Sequence, residues 1–565
     1  MTLTSALQIG RSGLLASQAA IQMTGNNMAN VAVAGYHRQT VSLQPVRDQQ
    51  ITQDQFIGRG VQIQAIIRQV NVGLESRLRD SQSNEAGSLA RHQILTQIEA
   101  IQNEYSDSDL SSQLTQFFNA WSELANNPGD NAQRSMVIAQ GSALALQLNT
   151  MQKQMMDLRN GMDQTIRQDA TAANDLLEQI AQINTQIVLS EGGSGQAHAL
   201  RDQRDVLLSQ LSQYIDISVN EQPNGSIDVF VGSLPVVLGH RNRGIEVRTT
   251  ADGDQLKVDL VISADGSILS PQSGKLGALV KSREEDVIAG IRALDDFANH
   301  LIYEVNKVHS QGQGTTGFSS VTGASVLKDV NVALNDPAAG LGFTPTHGSF
   351  KVYVTQTSTG QRVETSIPVD LDGIGADTTL TDLVNSLNGV ANISASISVD
   401  NRLVLNVNGG DYQISFGEDT SGVLATLGIN TFFTGKDAAS IDVNQTVVKN
   451  TGLLAASRNG SAADNSNALA MARLGQQSPV SGGSSISQKW EAQVQTLAIR
   501  IGQAQQQLDA ATIVRENLQV QQQAYSGVNI DEETINLMAF QRAYQGSARF
   551  LGVVDEMMQT LLQLL

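Results

Sequence analysis

Apolar positions at the two ends of the chain repeat with helical steps. From Leu537 the residues Leu537, Phe540, Tyr544, Ser547, Leu551, Val554, Met558, Leu561 and Leu565 alternate steps of three and four, keeping one seam on one side of a helix. Near the start, Leu7, Leu14, Ile21 and Met28 fall seven apart with Gly10, Ser17 and Thr24 between them, and these small residues leave room for a partner helix. Two lone amphipathic helices at opposite ends of 565 residues are marginal in water, so the pattern predicts that they pair with each other as a coiled coil.

Between the ends the period changes several times. A first helix is expected from Thr4 to Val33, broken at Ala34-Gly35-Tyr36, and the polar, turn-rich stretch to Gly60 reads as an extended connector. Leu110, Leu114, Phe117, Trp121 and Leu124 form a helical stripe capped at Ser106-Asp107-Ser108-Asp109 and stopped by Asn126-Asn127-Pro128-Gly129. Leu144, Leu148, Met151, Met155, Leu158 and Met162 continue the pattern, which resumes at Leu176, Ile180, Ile183 and Ile187, so a helix of about 55 residues and roughly 80 Å is expected. The period then drops to two at Ile227, Val229 and Val231 and at Leu256, Val258, Leu260 and Ile262, which marks β-hairpins. Helix returns over Ile288 to Val308. From Gly312 to about Asn444 turns dominate: Phe350, Val352 and Val354 face Val363, Thr365, Ile367 and Val369, a capped helix runs from Thr379 to Gly389, and Ile393 to Phe416 supplies further strands. A last long helix spans Ser487 to Tyr525.

The fold class that follows is mainly α with β-rich inserted regions. It takes the form of an elongated multidomain rod with paired terminal helices, a long-helix bundle and an outer β-rich domain. The expected domains are 1–60 with 520–565, 61–312 with 446–519 (carrying a β-hairpin subregion at 216–270), and 313–445. The length alone suggests roughly three or four domains, and 41% hydrophobic residues suffice for real cores.

Asp and Glu number 55 against 36 Lys and Arg, a formal charge of -19, which argues against nucleic acid or an anionic membrane as partner. No stretch is apolar enough to span a bilayer, and the first residues lack the charged and apolar regions of a cleaved secretory signal. Cysteine is absent, which excludes disulfides, thiolate metal sites and Cys nucleophiles.

Strings that look chemical have weak context. Gly312-Gln313-Gly314-Thr315-Thr316-Gly317 follows a helix instead of a strand and opens no helix, unlike a dinucleotide fingerprint. Asp370, Asp372, Gly375 and Asp377 imitate a calcium loop but carry Thr381 where the bidentate Glu belongs, so a solvated turn is the better reading. Glu284-Glu285-Asp286 could supply two carboxylates for glycosidic cleavage, but helix neighbours point different ways and a solvated acidic face is expected. The His residues at 37, 92, 198, 240, 300, 309 and 347 contain no pair at helical zinc-ligand spacing. Arg201, Asp202, Arg204 and Asp205 read as salt links. No cofactor, metal or catalytic residue is expected.

The end segment Ser526-Gly527-Val528-Asn529-Ile530-Asp531-Glu532-Glu533, with Leu537-Met538, Phe540-Gln541, Ala543-Tyr544-Gln545 and Ser547-Ala548-Arg549, resembles the C-terminal signature of the bacterial flagellar axial proteins. Asn26-Asn27-Met28-Ala29-Asn30, Gly35-Tyr36 and Arg38-Gln39 resemble their N-terminal motif, with Val33-Ala34 where the family has Thr-Pro. Within that family, Ser122 to Pro128, Leu200 to Asp205, Gly274 to Leu279 and Val305 to His309 are similar to landmarks of the hook-filament junction branch. The resemblance covers residues 1 to about 312 and 446 to 565.

It implies a structural subunit, not an enzyme, whose terminal helices line an inner tube while its β-rich domain faces outward. Asn27, Asn30, Gly35, Tyr36, Arg38, Asn529 and Gln541 join the two stripes as assembly residues. The implied partners are further copies of itself, the hook protein, the second hook-filament junction protein and a cytoplasmic export chaperone on the C-terminal helix. The implied location is extracellular, on the flagellum, after export through its type III channel. The hook protein, the second junction protein, a cell-wall glycan hydrolase and a surface adhesin are the alternatives.

Overall fold

A computed structural model of the chain describes residues 3–52, 55–103, 109–193, 195–252, 255–477 and 483–564. Helix α1 (Leu3–Ala29) leads into strands β1 (Gln39–Pro45), β2 (Gln49–Thr52), β3 (Gln55–Ile57) and β4 (Val61–Arg68). Helices α2 (Val72–Gln102), α3 (Leu110–Asn126), α4 (Asn131–Glu191) and α5 (His198–Tyr214) follow. Then come β5 (Ser218–Glu221), β6 (Ile227–Val231), β7 (Leu234–Leu238), β8 (Arg241–Asn242), β9 (Ile245–Asp252), β10 (Gln255–Ile262) and β11 (Ile268–Leu269). Helix α6 (Gly274–Ser282) passes through a π-turn (Arg283–Ile288) into α7 (Ala289–Ser310). The next stretch holds β12 (Ser320–Thr322), β13 (Gly348–Gln356), β14 (Arg362–Val369), α8 (Leu380–Asn388), β15 (Ile393–Ile397), β16 (Leu403–Val407) and β17 (Tyr412–Gly417). Short elements α9 (Val423–Leu427), β18 (Phe433–Thr434), β19 (Asp442–Val443) and α10 (Gln445–Lys449) lead to α11 (Ser466–Leu474), α12 (Ile486–Ser526) and α13 (Ile530–Leu564). Among the described residues no helix is long and apolar enough to cross a membrane.

The chain forms two compact units. The first holds Met1–Gln93, Met162–Glu284 and Gly502–Leu565. In it, α1 packs along α13 and also on β1 and β4. The stretch expected as an extended connector is instead a β ribbon: β1 pairs antiparallel with β4, and β2 with β3. Val41 opposite Ile66 and Thr40 opposite Ile67 supply β-branched cross-strand pairs, which favour pairing over a polar loop. The first helix also stops earlier than expected, at Ala29, where the Asn30 side chain donates to the Asn26 carbonyl at 2.8 Å and competes with the ladder. Residues 162–191 of α4 bury Ile166, Ala173, Leu177, Ile180 and Ile187, and two asparagines on this helix hold the sheets. Asn184 Nδ2 donates to the carbonyls of Ile227 and Gly239, and Asn174 donates to the Ile245 carbonyl. The sheets run in the antiparallel orders β5-β6-β7-β8 and β11-β10-β9.

The second unit holds Ile94–Gly161 and Glu285–Ile501. One of its cores gathers Phe117, Trp121, Phe297, Phe432, Phe433 and Trp490. Phe432 and Phe433 meet edge-on with centroids 4.8 Å apart, the geometry that ring quadrupoles favour. Arg134, almost wholly buried, lies among carbonyls: Nε and Nη2 donate to Pro128 O and Nη1 to Leu454 O, tying the start of α4 to the segment before α11. His309 is fully buried, with Nδ1 2.8 Å from Asn430 O while Nε2 accepts from the Ala455 N–H; burial pushes it down to about 4, so it is neutral. A second core lies under two antiparallel sheets, β14-β13-β17 and β12-β16-β15. Phe350 opposes Ile367, Val352 opposes Thr365 and Val354 opposes Val363, the pairing that the alternation predicts. The capping box expected on α8 is formed by Thr379 and Asp382. On α3, Asp109 accepts from Ser112 N; the rest of the cap expected there, Ser106 to Ser108, lies outside the described residues.

Candidate assembly site at the chain ends

Along α1 and α13, Gly10 lies against Leu551 and Phe550, Gly13 against Ser547, and Asn27 against Glu533. Rising numbers on one helix meet falling numbers on the other, so the pair is antiparallel. The closest approach on α1 is made by small residues: Ala6, Gly10, Ser17, Ala20, Thr24 and Asn27 are buried, whereas Leu7, Leu14, Ile21 and Met28 are half-buried. A Cβ on Gly10 would stand 2.8 Å from Leu551 Cγ and one on Gly13 2.9 Å from Ser547 Oγ, which leaves no room for a side chain without a shift. On α13, Val554 is buried, Leu537, Phe540, Leu551 and Met558 are half-buried, and Gln541, Tyr544 and Leu561 are exposed. Leu565 lies outside the described residues.

Beside this seam α13 carries a second apolar stripe that faces solvent: Ile535, Met538, Phe550, Val553 and Met557, with Val553 56% and Met557 54% exposed. Ile535 and Met538 form one exposed apolar cluster and Phe550, Val553 and Met557 a second, with Arg542 and Arg549 between them, and exposed apolar surface of this kind marks interaction sites.

At the open end of α1 the helix pair is closed by a polar lock. Asn27 Nδ2 donates to Gln39 O at 2.9 Å and to Glu533 Oε2 at 3.1 Å, while its Oδ1 accepts from Tyr36 Oη at 2.7 Å and from Gln39 N at 3.1 Å. All four of its hydrogen-bonding positions are filled. Arg38 Nε donates to Glu533 Oε1 at 2.8 Å, Arg38 Nη1 to Glu532 at 3.1 Å, and the Arg38 N–H to Ser526 O at the end of α12. Asn529 caps α13 by accepting from Asp531 N, and the first-turn acids Asp531, Glu532 and Glu533 complement the positive helix end. Burial, then the charges of Asp202 and Glu533, push Tyr36 up to about 12. Gly35 turns the chain into the lock at φ +76°, and a Cβ there would stand 2.2 Å from Val206, so glycine is required on both counts.

His37 sits at the centre of a buried charge cluster. Its Nδ1 is 2.7 Å from Asp202 and its Nε2 3.6 Å from Glu75, and Arg68 bridges Asp202 at 2.9 Å and Asp205. Burial alone would lower the imidazole, but Asp202 and Glu75 together outweigh it and push His37 up to about 9. Glu75 is held below its usual range: burial opposes this, but the neighbouring His37 and Gln522 outweigh it. Since His37 is raised from 6.5 to about 9, its stabilising share is complete below pH 6.5 and disappears as pH rises through 9. The expected loss across that window is on the order of 3 kcal/mol. Hydrogen exchange of residues 36–39 at a series of pH values, with His37→Gln as the pH-flat control, checks it.

The remaining sequence candidates are dispersed. Asp202 and Asp205 with His37 bring ligand atoms within 4.8 Å of one another, but the Arg68 guanidinium already lies on both carboxylates. Arg201 pairs with Glu191 and Glu221, and Arg204 is buried against Asn184 and Gly225 O. Glu284 pairs with Arg283 and Asp286 with Arg500; Asp286 is buried, contrary to the solvated face expected for it. Asp372 and Asp377 are spent on the N–H groups of Ile374 and Gly373. The glycines of the 312–317 string serve packing: a Cβ on Gly314 would stand 2.0 Å from Gly452 O. Glu533 in the lock and His37, Arg68 and Glu75 in the charge cluster do not stand out in sequence, because their partners lie far away along the chain; the spacing of Asp202 and Asp205, about one helical turn apart, is the available signal.

Comparison with known proteins fits this geometry. Residues 95–324 match the helical domain of flagellar hook-associated protein FlgK, and residues 521–564 match the C-terminal domain of the flagellar basal body rod FlgEFG proteins. Flagellar hook-associated protein 1 of Escherichia coli (strain K12) is 25% identical over 577 residues, covering 100% of both chains. The protein of the same name from Bacillus subtilis (strain 168) is also 25% identical, over 98% of this chain and 96% of its own. The flagellar hook junction protein FlgK from Burkholderia pseudomallei shares the fold, with a TM-score of 0.50 at 17% identity over 80% of this chain and 100% of that one. The helical domain in the middle, the rod-type C-terminal domain at the end and the end-to-end match make this chain similar along its whole length to the flagellar hook-associated protein 1 proteins.

Proposed function

We propose that this protein is a structural subunit that joins the flagellar hook to the filament and is built into the flagellum through its terminal helices after type III export. The observation that carries this reading is the antiparallel α1–α13 pair with a second apolar stripe on α13 left facing solvent. One stripe is used within the chain; the other is free for neighbouring copies, for the hook protein on one side and for the second junction protein on the other. Residues 1–60 with 520–565 then form the inner coiled-coil layer, 61–312 with 446–519 the surrounding wall, and 313–445 the outward β-rich domain. Exposed apolar surface on α13 is a liability before export, which supports a cytoplasmic chaperone that covers it. The absence of cysteine suits a chain that travels unfolded into an oxidising exterior.

Replacing Val553 and Met557 together by glutamate tests the reading without disturbing the internal seam. Both side chains are more than half exposed, so the purified protein is expected to keep its helix content and stability. In cells it is expected to be missing from hook tips by immunolabelling, and filaments are expected to be shed. Normal incorporation of the double variant would sink the proposal.

A further inference from the structure

Five Asn-Gly dipeptides occur in the chain, at Asn160, Asn224, Asn388, Asn408 and Asn459. Such pairs can cyclise when the glycine N–H is free to attack the asparagine side chain, and the fold treats the five differently. Asn160 and Gly161 lie inside α4, where helical geometry holds the two groups apart. Asn224 Oδ1 accepts from Ser226 N and Oγ, and the Gly225 N–H is tied to Gln222 O. Asn388 exchanges two hydrogen bonds with Ala395, and the Gly389 N–H donates to Ser386 O. Asn459 Oδ1 accepts from Ser461 N, and the Gly460 N–H donates to Ser457 Oγ.

Asn408 is different. It starts the loop between β16 and β17, both it and Gly409 are exposed, and its side chain makes no hydrogen bond among the described residues. Gly409 adopts φ +109°, a Cβ on it would meet nothing closer than Tyr412 at 3.8 Å, and one on Gly410 would meet nothing within 4 Å. The Asn408 main-chain N–H donates to Asn392 O at 2.9 Å and Asp411 at the far end is anchored by Thr357 and Ser358, which leaves the Asn408 side chain and residues 409–410 between these two anchors.

We infer that Asn408 is a site of spontaneous succinimide formation, and that of the five Asn-Gly pairs it is the one the fold leaves most open to it. The deprotonated Gly409 nitrogen bonds to Asn408 Cγ, the Cγ–Nδ2 bond breaks, and the amide leaves as ammonia. Water then opens the five-membered ring at either carbonyl, giving aspartate or isoaspartate. The sum is asparagine plus water to an acid plus ammonia, with no oxidant or enzyme required. Each event adds one negative charge, and the isoaspartate form lengthens the main chain beside Val407, so the loop records the age of a folded subunit.

The test incubates the purified full chain in warm, mildly alkaline buffer, digests timed samples at mildly acidic pH, and quantifies each Asn-Gly peptide by mass spectrometry with enzymatic isoaspartate labelling. Asn408 is expected to convert at least about tenfold faster than Asn224, Asn388 or Asn459, the factor that one net hydrogen bond represents. In denaturant the loop sites should react at similar rates, and Gly409→Ala should slow Asn408 in the folded protein. Equal or faster conversion at any of the other three sites in the folded chain overturns the inference.

Discussion

Deletion of Asp531–Leu565 is expected to yield a chain that is still made and still folds its second unit, but that is absent from hook tips and supports no filament. The deletion removes α13 and with it the cover over Gly10 and Gly13, the Glu533 partner of Asn27, and both carboxylates that Arg38 holds. A lone α1 of 27 residues, rich in Gly, Ala and Ser on its close-packed face, has little to keep it helical in water. The second unit keeps its own aromatic core, because Phe117, Trp121, Phe432 and Trp490 all lie outside the deleted segment. Immunolabelling of isolated hook-basal bodies is the decisive measurement. A shortened protein that still sits at hook tips and carries a filament would show that the terminal pair is dispensable for assembly.

How much of this was legible in the residues depends on where each signal comes from. Elements whose burial is periodic were readable: Phe350, Val352 and Val354 alternate because one face of β13 is inside, and Leu110 to Leu124 step by three and four because one face of α3 is. The β1–β4 ribbon was not, since Leu43, Ile63, Ile66 and Ile67 are all largely exposed and no alternation separates an inner face from an outer one. On α1 the conspicuous Leu7, Leu14, Ile21 and Met28 draw the eye, whereas the tightest contacts belong to glycine, alanine, serine and threonine, whose hydrophobicity is slight. Long-range polar pairing was least legible. Nothing local marks His37 as the partner of Asp202, or Asn27 as the partner of Glu533. Such pairs are set by tertiary placement, and a single sequence carries no record of it.

Asn27→Leu is the substitution expected to cost the first unit most, about 4 kcal/mol. Leucine keeps the branched outline but is bulkier, so overpacking adds to a loss that is mainly one of hydrogen bonding. It strands the N–H and carbonyl of Gln39, takes away the acceptor of the Tyr36 hydroxyl proton while Asn26 still donates to that oxygen, and leaves the buried Glu533 carboxylate with Arg38 alone. Each orphaned buried group costs roughly 1–3 kcal/mol, partly recovered where solvent can enter as the lock loosens. Because the two units need not unfold together, a single melting temperature is a poor readout. Hydrogen exchange resolves it: amides over 24–40 and 526–540 should lose protection while those of α3 and α7 do not change. Asn27→Asp separates electrostatics from packing, since it keeps the shape but sets a second carboxylate where Nδ2 lies 3.1 Å from Glu533. Its defect should be milder in acid, where one of the two carboxylates takes up a proton, and should grow as pH rises. Full protection of both segments in the leucine variant would mean that the helix pair is held by its small-residue seam and that the polar lock contributes nothing to it.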